Sequence, residues 1–186
     1  MVGIDLTPAF VELANELTAR TGLAGRARFV EGSALALPFE PASFDLATMF
    51  HVGMNIEDKP TLFREVRRVL RPGGSFVVYD LMRTADGDLP MPMPWADSAA
   101  TSFVETPSSY RQSLEAAGFR IAEERNWTDL VMSAVAERRA RFAAEGPPVV
   151  GLHLLMGPSG AERLARGTGA VAAGLIAPIE IVATAA

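Results

Sequence analysis

Val2-Gly3-Ile4-Asp5-Leu6-Thr7-Pro8 is the stretch that decides the fold of this 186-residue chain. Its apolar residues predict a short strand ending in Asp5, and Thr7 and Pro8 are typical of the first positions of a helix. In a doubly wound sheet, an acid at such a strand end binds the ribose hydroxyls of a nucleoside-type cofactor. The glycine-rich turn that accompanies this acid normally lies about 20 residues earlier. We therefore expect this chain to lack that turn and its strand.

Strands and helices alternate along the rest of the chain, which predicts parallel βαβ units. Helical spacing of apolar residues or helix-boundary signals predict helices at Thr7–Gly22, Lys59–Leu70, Thr106–Gly118, Leu130–Ala144 and Ser159–Ala173. Short apolar runs predict strands at Ala27–Val30, Phe44–Phe50, Ser75–Asp80, Phe119–Glu124 and Ile176–Val182. Phe44–Phe50 is apolar enough for a strand buried on both faces, and Pro178 predicts that the last strand lies near a sheet edge.

The order of elements predicts an α/β fold with a Rossmann-like, doubly wound, mostly parallel sheet. We expect one domain over residues 1–186, N-terminally incomplete, with a lid or acceptor segment at about 83–110. The segment Arg83–Pro94 is rich in Pro, Gly, Asp and Met, and long loops of this kind often cover binding sites. Gly167-Thr168-Gly169 follows a helical pattern rather than a strand, so we interpret it as helix and not as a phosphate loop.

The composition of the chain argues against several classes of function. A net charge of −5 provides no basic stripe for nucleic acid. The chain has no cysteine and two histidines, so disulfides are excluded and we expect no metal site. We find neither a membrane-length apolar run nor a signal-peptide pattern and expect a cytoplasmic protein.

Four motifs in their order resemble those of the class I S-adenosylmethionine (SAM) dependent methyltransferases, in particular the methyltransferase type 11-like kind. They are Val2-Gly3-Ile4-Asp5, Gly32-Ser33-Ala34-Leu35-Ala36-Leu37-Pro38-Phe39, Ser43-Phe44-Asp45-Leu46 and Val69-Leu70-Arg71-Pro72-Gly73-Gly74. A closer likeness is to bacterial sarcosine/dimethylglycine N-methyltransferases and related small-molecule enzymes. It rests on His51–Lys59, Pro92–Asp97, Leu114–Phe119 and Gly151–Leu155.

The resemblance implies SAM as cofactor and assigns residues to it. Asp5 would accept both ribose hydroxyls, or serve only to start the helix, and Leu6 would cover one adenine face. Ser33 stands where the family usually has an acid, so its contact with the adenine amino group would be weaker, and a turn-forming serine is an equal alternative. Ala34 and Leu35 would supply backbone contacts, and Phe50 would pack near the methionine part.

The acceptor side is implied to lie beyond the central strand. His51 is the candidate that orients or deprotonates the acceptor, because its pKa lies near working pH; a backbone hydrogen bond is the alternative role. Asn55 would hold a substrate carboxylate or cap the next helix, and the cap is favoured. Further candidates for substrate binding are Tyr79, Arg83, Trp95 and Tyr110, with Asp80 among them. Two of these have a structural alternative. Arg83 would be a solvated loop arginine, and Trp95 would pack under a lid. His153 is interpreted as structural.

The implied function is transfer of a methyl group from SAM to a small-molecule amine or hydroxyl. Without the family's first strand and glycine loop, we expect the 186-residue chain to bind SAM poorly and to self-associate through strand edges. Three explanations of the missing strand and loop are considered: the chain is a fragment of a longer enzyme, its reading start is misplaced, or it is a degenerate relative. The alternative function is a non-catalytic methyltransferase-like module that binds a ligand or partner.

Overall fold

The computed structural model describes residues 1–146, 149–151 and 156–186. The strands are β1 (Val2–Asp5), β2 (Arg28–Glu31), β3 (Phe44–Phe50), β4 (Leu70–Arg83), β5 (Phe119–Asn126) and β6 (Ile176–Ala185). The helices are α1 (Pro8–Arg20), α2 (Lys59–Val69), α3 (Pro107–Ala116), α4 (Thr128–Glu145) and α5 (Gly160–Ala172). Every predicted strand and helix is therefore present, and Gly167–Gly169 lies inside α5 as interpreted.

The strands form two separate sheets. β1 and β2 make a parallel pair, and the larger sheet has the order β3-β4-β6-β5. β3 and β4 are parallel, whereas β6 is antiparallel to both β4 and β5. Only β6 of the larger sheet therefore runs against its companions, which confirms the predicted α/β fold with mostly parallel strands.

β3 is less buried than its sequence predicts. Leu46 is 56% exposed and Phe50 is 57% exposed, so the prediction of a strand buried on both faces is wrong. The reason is that, among the described residues, β3 is hydrogen-bonded along one edge only, to β4. The helix α1 shows the same effect, because Phe10, Leu13 and Leu17 on its apolar side remain about half exposed.

The prediction that Pro178 places the last strand near an edge is also wrong. β6 lies between β4 and β5, and Pro178 is opposite Leu81 of β4. The carbonyl of Pro178 accepts a hydrogen bond from the Trp127 amide, one residue beyond the end of β5 (2.9 Å). In a strand, the amide and carbonyl of one residue face the same neighbour. The missing N–H of Pro178 therefore falls where β5 has ended and removes no bond to β4.

Helices cover both faces of the larger sheet. On one face, Phe63 of α2 and Tyr110 of α3 pack with Phe76 and Val78 of β4, and all four side chains are fully or almost fully buried. Leu81 belongs to the opposite face because side chains alternate along a strand. There it packs with α5 and with part of the connection between β4 and α3, a cluster that includes Trp95. The predicted lid region thus lies against the sheet.

Candidate functional site

Asp5 lies at the carboxyl end of β1, exposed to solvent. One carboxylate oxygen, Oδ1, accepts a hydrogen bond from the Thr7 amide (2.8 Å), and the Thr7 side chain makes no capping bond to α1. Asp5 therefore helps to start the helix, while its Oδ2 has no hydrogen-bond partner among the described residues. The Gly32 amide donates to the Asp5 carbonyl (3.0 Å), which brings the turn after β2 next to Asp5.

Ser33 occupies that turn. Its Oγ accepts a hydrogen bond from the Leu35 amide (3.1 Å), which is the turn-forming role considered from the sequence. Ala34 and Leu35 are half-buried and pack against the main core, whereas Leu6 is 70% exposed. The structure thus gathers Asp5, Leu6 and the 33–35 turn at one end of the smaller sheet, and their contacts with a cofactor stay a prediction.

The segment after Ser33 is anchored to α2. Glu65 accepts a hydrogen bond from the Leu37 amide (2.8 Å), and Arg68 donates to the carbonyls of Leu37 (2.8 Å) and Phe39 (2.7 Å). The hydrogen bond from Arg68 lowers the pKa of Glu65. Through these hydrogen bonds, Glu65 and Arg68 hold the 33–39 stretch against α2 and thereby near the larger sheet.

Phe50 and His51 end β3. Phe50 points into solvent, and His51 has a left-handed backbone with φ of +54°. The His51 amide donates to the Tyr79 carbonyl (2.9 Å), and the two rings meet edge to face with centroids 5.0 Å apart. Within the described residues the imidazole makes no hydrogen bond. His51 is exposed to solvent at one side, but desolvation by the atoms around it lowers its pKa, so the ring is mostly neutral at pH 7 and can accept a proton.

Asn55 is exposed at the end of a short 3₁₀ turn, Gly53–Asn55. The favoured interpretation of Asn55 as a helix cap is wrong. Asp58 caps α2, and its side chain accepts a hydrogen bond from the Thr61 amide (2.9 Å). Asp58 is directly adjacent to the helix, whereas Asn55 is one turn too early to reach the free amides. Its contact with a substrate remains a prediction.

The remaining acceptor-side candidates are held by protein groups. The Arg83 guanidinium donates to the Gly87 carbonyl (2.7 Å), and the Trp95 indole N–H donates to Ser102 Oγ (3.0 Å). Trp95 packs in the cluster beneath the connection from β4 to α3, which is the packing role considered for it. Tyr79 is half-buried beside His51. Its ring contacts the His51 ring directly.

Tyr110 is fully buried, and its hydroxyl donates to Asp80 Oδ2 (2.8 Å). Burial raises the pKa of Tyr110 and also raises the pKa of Asp80, to about 6. This placement favours a role for Tyr110 beneath the site over direct contact with an acceptor.

Sequence reasoning missed Lys59, which is 3% exposed at the start of α2. Its Nζ donates to the carbonyls of Ile56 (2.8 Å) and Phe103 (2.7 Å) and lies 5.4 Å from the Tyr110 ring centroid. A lysine at a helix start is normally solvated, so nothing in the sequence distinguishes it. His153 lies outside the described residues. Among those that are described, no group of three potential metal ligands occurs and no helix is long and apolar enough to cross a membrane.

Comparison with known proteins finds similar methyltransferases. Residues 1–78 match the methyltransferase domain family. Over 142 residues the chain is 30% identical to erythromycin 3''-O-methyltransferase of Saccharopolyspora erythraea, covering 71% of this chain and 46% of that protein. Over 88 residues it is 35% identical to sterol 4-C-methyltransferase strm-1 of Caenorhabditis elegans, covering 47% of this chain and 26% of that protein. The chain thus spans less than half the length of these curated relatives.

The solved structures agree on the fold. A putative sarcosine dimethylglycine methyltransferase from Galdieria sulphuraria superposes with a TM-score of 0.79 at 19% identity, covering 98% of this chain and 68% of that one. Geranyl diphosphate methyltransferase in complex with SAM gives a TM-score of 0.75 at 16% identity, covering 100% and 68%. Residues 1–78 therefore belong to the methyltransferase domain family, and the chain has the fold of the class I SAM-dependent methyltransferases.

Proposed function

We propose that the protein transfers a methyl group from SAM to a small-molecule amine or hydroxyl. The observation that carries the proposal is the set of polar groups at the carboxyl ends of parallel strands: Asp5 at the end of β1, Ser33 after β2 and His51 after β3. Ligands of open α/β sheets bind at these ends. The names of several relatives, among them a sterol, an erythromycin and an ajmaline methyltransferase, support a small-molecule acceptor.

The residues present fit the adenosine half of the cofactor. Asp5 keeps one carboxylate oxygen for the ribose hydroxyls, and the exposed Leu6 offers an apolar surface for adenine. Ser33 is uncharged and already accepts one hydrogen bond within its own turn, so its hydroxyl would give the adenine amino group a weaker contact than a carboxylate. Because β1 and β3 stand in separate sheets, we expect SAM to bind the 186-residue chain weakly.

When bound, SAM supplies a methyl group that is already activated by the sulfonium. The protein then has to align the acceptor and exclude water. His51 suits that task because its imidazole is uncharged at pH 7 and has no hydrogen bond to the described residues. It would orient an amine, or accept the proton of a hydroxyl as the methyl group arrives. Asn55 and Tyr79 flank this position and would contact the acceptor.

A second candidate is a non-catalytic module that binds a ligand or partner. The open edges of β1 and β3 favour it, since unpaired strand edges can pair with another chain. This candidate predicts binding without methyl transfer.

Calorimetric titration with SAM tests the cofactor assignment. In an N-terminally extended form of the chain, Asp5→Ala is expected to weaken SAM binding by about 1.5–3 kcal/mol, because it removes hydrogen bonds to a charged group. Asp88→Ala, in an exposed loop, is the matched control and should leave SAM affinity unchanged. Equal affinity in wild type and Asp5→Ala would contradict the assignment.

Methyl transfer is tested with labelled SAM and a panel of small amines and alcohols, followed by detection of S-adenosylhomocysteine. Acceptor-dependent product supports the enzyme. SAM binding without product for any acceptor favours the binding module.

A further inference from the structure

The segment from His51 to Ile56, here called the 51–56 segment, is held by backbone and side-chain groups of β4 and α2. At its start, the His51 amide donates to the Tyr79 carbonyl of β4 (2.9 Å). In its middle, the Met54 amide donates to Asp80 Oδ2 (3.0 Å). At its end, the Ile56 carbonyl accepts a hydrogen bond from Lys59 Nζ (2.8 Å). Two of these three restraints come from buried charged side chains.

The central restraint is closely packed. Asp80 is fully buried, and its Oδ2 accepts hydrogen bonds from both Met54 and the Tyr110 hydroxyl. A Cβ at Gly53 would lie 2.4 Å from Tyr110 Oη and 2.5 Å from Asp80 Oδ2. A side chain at position 53 would therefore displace the carboxylate or the phenol, and the 51–56 segment can approach Asp80 this closely because residue 53 is glycine.

Lys59 extends the restraint to the connection between β4 and α3. Its Nζ joins the Ile56 carbonyl to the Phe103 carbonyl (2.7 Å), and the Phe103 amide donates to the Met54 carbonyl (2.9 Å). The 51–56 segment and the polypeptide around residue 103 are therefore tied to each other as well as to the sheet.

We propose that Asp80 is a positioning residue: its buried carboxylate, oriented by Tyr110, fixes the 51–56 segment and thereby sets where His51 and Asn55 stand. Its importance for acceptor chemistry rests on the proposed function, whereas the positioning itself does not.

The charges around Asp80 support this arrangement. The groups that face it are the Tyr110 hydroxyl and the Lys59 ammonium, with Glu105 acting on both of these. Burial raises the pKa of Asp80 to about 6, so the carboxylate is mostly ionised at pH 7. An ionised acceptor makes the two hydrogen bonds to Oδ2 stronger than a neutral acid would. Positioning should therefore weaken as pH falls below about 6.

Amide hydrogen exchange of Met54, followed by NMR, tests the proposal without any cofactor or acceptor. In Asp80→Leu the protection of the Met54 amide is expected to fall about 10- to 100-fold relative to that of the Ile181 amide in the central strand β6. Asp80→Asn retains an acceptor oxygen and should recover most of the protection. Tyr110→Phe, which keeps the ring and removes only the hydroxyl, should give an intermediate loss even if Asp80→Leu does not fold.

Chemical modification of His51 by diethyl pyrocarbonate gives a second, independent readout. The pH profile of its modification, read by peptide mass spectrometry, reports the pKa of His51. In Asp80→Leu and Tyr110→Phe the profile should move upward, toward that of a fully solvated imidazole, because a displaced segment removes the neighbouring atoms that desolvate the ring. Asp88→Asn is the control and should leave the profile unchanged.

The outcomes separate cleanly. Unchanged Met54 protection relative to Ile181 in Tyr110→Phe, together with an unmoved His51 profile, overturns the positioning role. Selective loss at Met54 supports it even if no SAM binding or methyl transfer is ever found, so failure of the proposed function is distinguishable from failure of this inference.

Discussion

Replacing Asp80 by Asn is expected to remove a pH dependence from the stability of the protein. The carboxyl is fully buried, and burial raises its pKa to about 6 despite the opposing hydrogen bonds from Tyr110, Leu81 and Met54. In the unfolded chain the same group titrates near its ordinary value of 3.8. The folded state therefore binds a proton more tightly than the unfolded state does.

This difference in proton affinity determines how the free energy of unfolding changes with pH. Because the folded pKa is raised, the stabilisation is fully present below about pH 3.8 and is lost as pH rises through about 6. A pKa difference of about 2 corresponds to about 3 kcal/mol at 1.36 kcal/mol for each pH unit. Wild type should therefore lose about 2–3 kcal/mol of unfolding free energy relative to Asp80→Asn between about pH 4 and pH 7.

Urea unfolding of both proteins at several pH values measures this difference directly, since other titrating groups cancel between them. Asp88→Asn, at an exposed loop position, controls for the loss of one negative charge and should differ from wild type by less than about 0.5 kcal/mol at every pH. A wild-type minus Asp80→Asn difference that stays flat across this range would refute the reasoning, because it would mean that the buried carboxyl titrates alike in both states.

Three further changes have defined outcomes. His51→Gln should leave SAM affinity nearly intact while lowering the methylation rate, and in wild type that rate should fall as pH drops through the lowered pKa of His51; an unchanged rate in His51→Gln would reduce His51 to a structural role. Gly53→Ala should destabilise the protein by about 1–3 kcal/mol through overpacking, whereas Gly169→Ala, with nothing within 4 Å, should not; thermal melts compare the two. Leu46→Lys should reduce self-association seen by light scattering, because a charge on the open edge of β3 opposes strand pairing; monomeric wild type would argue against this surface.

The sequence predicts the elements better than their surroundings. Phe44–Phe50 is a strand as expected, and its apolar composition is that of a strand enclosed by neighbours. Its exposure depends on how many strands pair with it, which is a property of the whole sheet and not of the seven residues. Pro178 misleads for a related reason. Proline is unfavourable only where a neighbouring strand needs its amide, and this depends on where β5 ends.

In the candidate site, too, the positions of residues could be predicted from the sequence but their surroundings could not. Asp5, Ser33 and His51 follow strands, so their positions at strand ends can be predicted from the order of elements. Side-chain partners cannot, because Tyr110 and Asp80 are 30 residues apart and meet only through the packing of α3 on β4. Lys59 has no local signal at all, since its burial depends on carbonyls at positions 56 and 103.

The helix α2 connects the two halves of the candidate site. Near its carboxyl end, Glu65 and Arg68 hold the 33–39 stretch that follows the smaller sheet. At its amino end, Lys59 holds the 51–56 segment that follows β3. The helix itself is fixed to the larger sheet through Phe63 and the other buried residues of its apolar face. Since β1 and β3 share no hydrogen bonds, the relative placement of the proposed adenosine side and the proposed acceptor side depends on contacts such as these, together with the packing of the 33–39 stretch on the core, and not on a continuous sheet.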